Sequence, residues 1–231
     1  MSMLLKAPPV TRSVFAAAPI RRWAATWLVG VACAIALPLA HAQQTPTAQD
    51  PPNVLIEKAA NNVLAKIRSD RELKSGSLAK VNEAVDQLIL PYVDFTKTTR
   101  LAVGRYWRDA TPEQQTTLVK EFRNMLVRTY GGAVSSISPQ AKVQMQPFRA
   151  DPAATDVVVR TLVSDEDRDP VQVDYRMEKT DQGWKIYDLN VLGVWFIENY
   201  RNQFSPIAAQ SGIDGLIKAL TTRNQQLQAT P

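Results

Sequence analysis

Histidine and cysteine are almost absent from this chain of 231 residues, which contains one of each, His41 and Cys33. Both lie within the first 42 residues, so the remaining 189 residues contain neither. Without histidine, Ser-His-Asp and Cys-His nucleophilic chemistry, imidazole general-base catalysis and nearly every zinc site are excluded from that part. Without cysteine, no disulfide framework forms, so the stability must come from a hydrophobic core. Catalysis by carboxylates alone, or by an Asp/Tyr pair, remains open.

Acidic residues are missing from the first 42 residues, which contain four basic ones. The basic segment is followed by an apolar run from Trp23 to Leu39, and the run ends at Ala40-His41-Ala42. These three parts form the pattern of a secretory signal peptide, so we predict an exported protein with a Sec-type leader over residues 1–42. The apolar run is shorter than the about 20 residues that span a bilayer, which disfavours the alternative of an uncleaved membrane anchor.

The excess of basic residues belongs mostly to this leader. The full chain has a net charge of +5, whereas the chain after residue 42 has 23 basic and 22 acidic residues. A nearly neutral protein has no overall field to hold nucleic acid, so we expect no nucleic-acid partner. The acidic run from Asp165 to Asp169 lacks the spacing and the glycine of a calcium-binding loop, so we predict no metal site there.

Beyond the leader, the chain is long enough for one good-sized domain. Residues 43–52 are polar and rich in proline, which predicts a disordered lead-in. We predict a single α+β domain over residues 53–222 and a polar C-terminal tail over residues 223–231.

Several helices are predicted by apolar residues at steps of three and four. Asp94 is expected to cap a short helix, and Thr111, followed by proline and glutamate, is expected to cap the longest helix of the chain. Near the C-terminus, one helix is expected from Val194 until Pro206 interrupts it, and another is expected after Gly212.

Between these two groups of helices, the spacing of apolar residues changes to every second residue. The stretch from Val171 to Met177 alternates between apolar and polar side chains, and Thr180 to Gly183 has the composition of a hairpin turn. Four consecutive strands with short turns predict an antiparallel meander with one buried face. The order of the elements predicts an α+β fold in which several helices pack on a curved, four-stranded antiparallel sheet.

Large apolar residues are concentrated from Leu189 to Phe204, where the last predicted strand meets the following helix, and along the longest helix. One interpretation is an ordinary core, since apolar stripes at this spacing usually face a sheet. The other is that the helices and the sheet do not close completely and leave an apolar cavity for a ligand. Periodicity alone does not separate the two interpretations.

Eight segments of the chain together resemble the MlaC (toluene-tolerance) family. They are Tyr92–Trp107, Ala110–Gln115, Glu121–Arg123, Leu126–Tyr130, Val171–Tyr175, Gly183–Asp188, Asn199–Phe204 and Gly212–Ile217. They occur in the expected order, and the resemblance extends from about Ala59 to Leu220. It implies a periplasmic phospholipid carrier with a fold related to the NTF2-like cone. In such a carrier the acyl chains enter an apolar pocket between sheet and helices, and the headgroup stays near solvent.

The resemblance also implies the partners. The protein would not be an enzyme and would have no cofactor, only phospholipid as cargo. It would exchange this lipid between an outer-membrane lipoprotein–porin complex and an inner-membrane ABC transporter that presents an MCE-domain ring, and so maintain the lipid asymmetry of the outer membrane.

On this basis we predict the residues that line the lipid-binding pocket. They are Phe95, Leu101, Tyr106, Trp107, Phe122, Met125, Leu126, Tyr130, Val173, Tyr175, Leu189, Val191, Val194, Trp195, Phe196, Tyr200 and Phe204. The segment Gly193–Glu198 departs from the family, which more often has smaller residues such as serine there. Trp195 and Phe196 are therefore expected either to narrow the pocket or to change which acyl chains fit.

Two other functions remain open at this point. An enzyme on an NTF2-like cone would use Asp174, Tyr175, Tyr187 and Asp188, but strand alternation places Asp174 on the face opposite to Tyr175. The other is a periplasmic interaction module with a solid core and no cavity.

Overall fold

The computed structural model describes residues 45–47, 49–165 and 168–229. The predicted leader lies outside these residues, as do Glu166 and Asp167 of the acidic run. Helices precede and follow an antiparallel sheet, which confirms the predicted α+β class. None of the helices in the described ranges is long and apolar enough to cross a membrane.

Five α-helices precede the sheet in the described part of the chain. They are α1 (Pro52–Ser69), α2 (Arg71–Lys74), α3 (Leu78–Leu88), α4 (Phe95–Val103) and α5 (Pro112–Ser135), with short 3-10 helices at Leu90–Tyr92 and Gly104–Asp109. Asp94 caps α4 as predicted, because its Oδ1 accepts from the N–H of Lys97 at 2.8 Å. Thr111 also caps α5 as predicted: its Oγ1 accepts from the N–H of Gln114 at 3.2 Å, and the Gln114 side chain accepts from the N–H of Thr111 at 2.9 Å.

The predicted lead-in is described from Thr45 on, except for residue 48. Asp50 accepts hydrogen bonds from Lys58 of α1 at 2.8 Å and from the N–H of Thr47 at 2.6 Å. Helix α1 follows directly, with Pro52 at its first position, where a missing N–H costs nothing.

The sheet contains one strand more than the four that we predicted. In the described part of the chain it consists of β1 (Lys142–Met145), β2 (Asp156–Asp165), β3 (Arg168–Thr180), β4 (Gly183–Val191) and β5 (Val194–Trp195), each paired antiparallel with the next. The fifth strand consists of the two residues that we expected to begin a helix. A two-residue turn at Leu192 and Gly193 brings Val194 opposite Val191, so the chain forms a hairpin before the helix begins.

The last helix differs from the prediction at Pro206 and agrees with it at Gly212. Helix α6 (Phe196–Ala229) continues through Pro206, because Phe204 and Ala208 on either side of it are held in the core. At Gly212, φ is 66° and the helix breaks. The second half continues to residue 229 and so includes most of the predicted C-terminal tail, where Asn224 donates to the carbonyl of Glu121 at 2.9 Å.

The hydrophobic core is divided into separate clusters. In the helical cluster, residues of α4, α5 and α6 surround Phe122, which is fully buried. In the sheet cluster, Leu55 and Ile56 of α1 pack on one face of the sheet at Val159 and Met177. A third, small cluster joins α1, α2 and α3 around Val81. Beyond the part of the sheet that α1 covers, the half-buried Val173 and Val191 on the same face belong to none of these clusters, and we call them the uncovered end of the sheet.

A buried carboxylate fixes the corner between β4, β5 and α6. Asp188 accepts from the N–H of Leu189 at 2.9 Å, from the N–H of Ile197 at 3.0 Å and from the Arg176 guanidinium at 3.0 Å. The ring of Trp195 lies over the same guanidinium at 3.8 Å. Burial raises the pKa of Asp188, and these hydrogen bonds and the charge of Arg176 oppose the shift. Asp188 therefore satisfies a free N–H at the start of α6 and sets the direction in which the helix leaves the sheet.

Replacing Asp188 by alanine should destabilise the protein by about 2–3 kcal/mol, because the N–H of Ile197 and the Arg176 guanidinium lose their acceptor. Chemical denaturation monitored by circular dichroism would measure this loss. Asp188→Asn, which keeps an acceptor oxygen, should lose less, and Asp169→Ala on an exposed part of β3 should change little. Equal stability of Asp188→Ala and the wild type would contradict the role of the carboxylate.

The turn between β4 and β5 contains a strained leucine. Leu192 has a φ of 53° and Gly193 a φ of 86°, the signature of a type I′ turn, in which asparagine is favoured at the first position. The side chain of Leu192 is 71% exposed, so packing does not compensate for the strain.

We expect Leu192→Asn to raise the free energy of unfolding by about 1 kcal/mol, because asparagine tolerates the left-handed conformation. The midpoint of thermal or chemical unfolding would show the gain. Leu192→Ala is the matched control, since alanine removes the exposed apolar surface but keeps the strain. If both variants were equally stabilised, the gain would come from lost apolar surface and the strain argument would be wrong.

Candidate functional site

A cavity of about 350 Å³ lies between α5 and the two halves of α6. It is lined by Met125, Thr129, Tyr130, Asn199, Tyr200, Gln203, Phe204, Ile207, Leu216, Ala219, Leu220 and Arg223. Because residues from both halves of α6 contribute, the break at Gly212 is what allows the helix to form two walls. The volume lies at the lower end of the roughly 300–1,000 Å³ that is typical of small-molecule sites.

The wall of this cavity combines two kinds of side chain. Its apolar part comes from methionine, phenylalanine, isoleucine, leucine and alanine, and its polar part from a threonine, two amides, two phenols and an arginine. No aspartate or glutamate is among the described residues that line it. A wall that is partly apolar and partly hydrogen-bonding, without acidic groups, is suited to an amphiphile rather than to a cation.

Aromatic rings of the helical cluster form part of the cavity wall. The ring centroid of Phe122 lies 5.0 Å from that of Tyr200 and 5.1 Å from that of Phe204, both with edge-to-face geometry. Tyr130 stacks on Phe196 with centroids 5.1 Å apart, and its hydroxyl lies 3.3 Å from the hydroxyl of Tyr200. Burial and the hydrogen bond with Tyr130 raise the pKa of Tyr200, so its phenol stays neutral at physiological pH.

The uncovered end of the sheet provides a second apolar surface. Val173 pairs with Val191, and Tyr175 pairs with Leu189, and all four side chains are only partly buried. Burial raises the pKa of Tyr175. Tyr175 and Leu189 pack against the sheet cluster, whereas Val173 and Val191 belong to none of the three clusters.

The structure places the seventeen predicted pocket residues in several different parts of the fold. Four line the cavity: Met125, Tyr130, Tyr200 and Phe204. Six more of the predicted residues belong to the helical cluster or pack against it: Phe95, Tyr106, Trp107, Phe122, Leu126 and Phe196. Tyr175 and Leu189 pack against the sheet cluster, Val173 and Val191 lie on the uncovered end of the sheet, and Val194 is 50% exposed in the hairpin.

Two of the predicted residues lie elsewhere. The half-buried Leu101 lies on α4, and its carbonyl accepts from the guanidinium of Arg201 at 2.9 Å. Trp195 pairs with Asn190 in the sheet, whereas its neighbour Val194 pairs with Val191 of the uncovered surface. Trp195 therefore lies on the other face from Val194, over Arg176, while Phe196 stacks against a residue of the cavity wall.

The sequence-based prediction missed eight residues of the cavity wall. They are Thr129, Asn199, Gln203, Ile207, Leu216, Ala219, Leu220 and Arg223. A search for large apolar residues passes over the polar ones, although Asn199, Gln203 and Ile207 follow each other at the four-residue spacing of one helix face. The contribution of the second half of α6 depends on how the helix turns at Gly212, which periodicity does not reveal.

The side chains considered for catalysis do not assemble in the cavity. Asp174 pairs with Asn190 and Tyr175 with Leu189, so the predicted alternation is confirmed and the two point to opposite faces. Asp174 accepts from Gln172, and Tyr187 donates to Asp156 at 2.8 Å. Within residues 45–229, apart from the gaps given above, no group of three His, Cys, Asp or Glu residues could hold a metal ion.

Comparisons with known proteins agree on one family. The sequence model of the MlaC protein family matches residues 57–222. A protein of Haemophilus influenzae named intermembrane phospholipid transport system binding protein MlaC is 24% identical over 191 residues, which cover 81% of this chain and 87% of that protein. The toluene tolerance protein ttg2D of Pseudomonas putida is 24% identical over 171 residues, which cover 74% of this chain and 78% of that protein.

The chain of one solved structure is similar to this protein over nearly the whole length of the solved chain. It is a phospholipid-binding protein from Ralstonia solanacearum in complex with a phospholipid, with a TM-score of 0.75 and 43% sequence identity. The match covers 78% of this chain and 99% of the Ralstonia chain.

Proposed function

Since this chain belongs to the MlaC family, we propose that it is a periplasmic phospholipid carrier. The observation that carries the proposal is the mixed wall of the cavity between α5 and α6. A relative that is 43% identical binds a phospholipid, and another is named for intermembrane phospholipid transport, which supports the same ligand.

The energetics of the ligand require enclosure of its tails. Two acyl chains hold roughly 30 methylenes, and at about 0.8 kcal/mol each their exposure to water would cost on the order of 20 kcal/mol. The cavity is too small for a whole two-tailed lipid. We therefore propose that the tails also contact the uncovered end of the sheet at Val173 and Val191, together with the neighbouring, half-buried Tyr175 and Leu189. Phe196 follows β5 directly and stacks on Tyr130 of the cavity wall, so the chain passes from the sheet to the cavity within a few residues.

The proposed role is carriage without a chemical reaction. The protein would take lipid from an outer-membrane lipoprotein–porin complex or from an inner-membrane ABC transporter with an MCE-domain ring and deliver it to the other. No cofactor belongs to this role, and a partner would drive any net direction. The predicted leader and the word "intermembrane" in the name of the Haemophilus relative support a location between the two membranes.

The most direct test is organic extraction of the mature protein purified from a Gram-negative host. Mass spectrometry of the extract should show phospholipid in near-stoichiometric amount, because enclosed tails do not exchange into water. An unrelated periplasmic protein of similar size, purified in the same way, controls for adhering lipid. An extract with no more phospholipid than this control would rule out the carrier function.

Substitutions at two valines would distinguish an effect on lipid binding from an effect on folding. Val173 lies on the uncovered end of the sheet, whereas Val159, on the neighbouring strand and the same face, is fully buried under α1. Val173→Asp should reduce bound phospholipid at least tenfold with a modest loss of stability, because a carboxylate there would face the acyl chains. Val159→Asp should cost about 4 kcal/mol or prevent folding, because it buries an unpaired charge.

Both variants would be compared by thermal unfolding and by quantifying the extracted lipid. If Val173→Asp unfolds as readily as Val159→Asp, then Val173 is part of the ordinary core and the sheet does not contribute to the lipid site.

A further inference from the structure

The charge around the cavity is concentrated in one residue. Among the described residues that line the cavity, Arg223 of the second half of α6 is the only charged one. Its side chain is exposed, and no carboxylate of the described chain lies within ion-pair distance of it. A cation at the edge of an apolar cavity with no acidic partner is available to an anionic group of a ligand.

Arg223 continues the apolar stripe that forms one wall. Leu216, Leu220 and Arg223 follow each other at steps of four and three residues, so they share one face of the helix. Leu216 is fully buried and Arg223 is exposed, so the stripe leads from the interior to solvent over roughly 10 Å of helix. A phospholipid has the same order of groups, with tails at one end and a phosphate between them and the headgroup.

Neutral hydrogen-bond donors lie on the opposite wall. Asn199 and Gln203 are one turn apart on the first half of α6, and both line the cavity together with Arg223. The side-chain amide of Gln203 makes only a long bond, 3.4 Å, to the carbonyl of Asn199. The positive charge of Arg223 is also close enough to oppose the effect of burial on the pKa of Tyr200. Polar groups from both halves of α6 thus surround one space.

We propose that Arg223 binds the phosphate diester of the cargo lipid, with Asn199 and Gln203 as additional donors to its oxygens. The planar guanidinium donates two parallel hydrogen bonds to a phosphate, and its charge neutralises the phosphodiester. The inference rests on the proposed carrier function and adds selectivity to it. Arg223 would distinguish phospholipids of any headgroup from neutral lipids, such as diacylglycerol, that have the same tails.

The test compares two lipids that differ in the phosphate headgroup. Delipidated mature protein would be incubated with phosphatidylglycerol or with diacylglycerol of identical acyl chains, and bound lipid would be quantified after gel filtration over a range of concentrations. Arg223→Gln should weaken binding of phosphatidylglycerol about tenfold, the usual effect of one hydrogen bond to a charged group. It should leave binding of diacylglycerol unchanged. Arg223→Lys should restore part of the loss, because it keeps the charge without the planar fork.

Lys218→Gln is the matched control, because Lys218 is an exposed cation on the same half of α6 that does not line the cavity. This variant should bind both lipids as the wild type does. Unchanged binding of phosphatidylglycerol by Arg223→Gln would overturn the inference and leave the carrier function intact. An equal loss of both lipids would assign Arg223 to packing and also overturn it. Wild-type protein that binds neither lipid would overturn the carrier function itself.

Discussion

The structure depends on a mismatch between the apolar surface of the sheet and the helices that are available to cover it. Helix α1 covers the end of the sheet around Val159 and Met177, and the helices α4, α5 and α6 bury most of their large side chains against each other around Phe122. Val173 and Val191, at the other end of this face, belong to neither cluster. Apolar area left in water costs about 25 cal/mol per Å², so both surfaces gain free energy from an apolar ligand that covers them together.

The position of the cavity depends on contacts at some distance from it. Asp188 fixes the start of α6 on the sheet, and the left-handed conformation of Gly212 redirects the helix so that its second half forms another wall. Glycine adopts this φ of 66° without steric cost. The shape of the cavity is therefore set by one buried carboxylate and one glycine, neither of which lines it. The lining residues are therefore not needed to hold this shape and are available to contact a ligand.

Much of the fold could be predicted because it rests on local signals. Capping by Asp94 and Thr111, the helix break at Gly212 and the alternation of Asp174 and Tyr175 each depend on a few neighbouring residues. The errors arise where tertiary contacts prevail over local preference. Pro206 is kept within a helix by the packing of Phe204 and Ala208, and β5 follows a type I′ turn that contains a leucine in place of the usual asparagine.

The candidate site was less predictable for the same reason. Large apolar side chains identified the aromatic residues that the cavity wall shares with the helical cluster. The polar residues of the wall and the second half of α6 come together only through the turn at Gly212. In the proposed carrier the apolar and the polar residues of the site have different effects on lipid binding. Burial of the tails provides nearly all the affinity, and it is the same for every lipid with those tails. Selectivity must then come from a group that responds to the phosphate, and Arg223 is the charged residue that the described cavity wall offers. A carrier built in this way accepts many headgroups and still excludes neutral lipids.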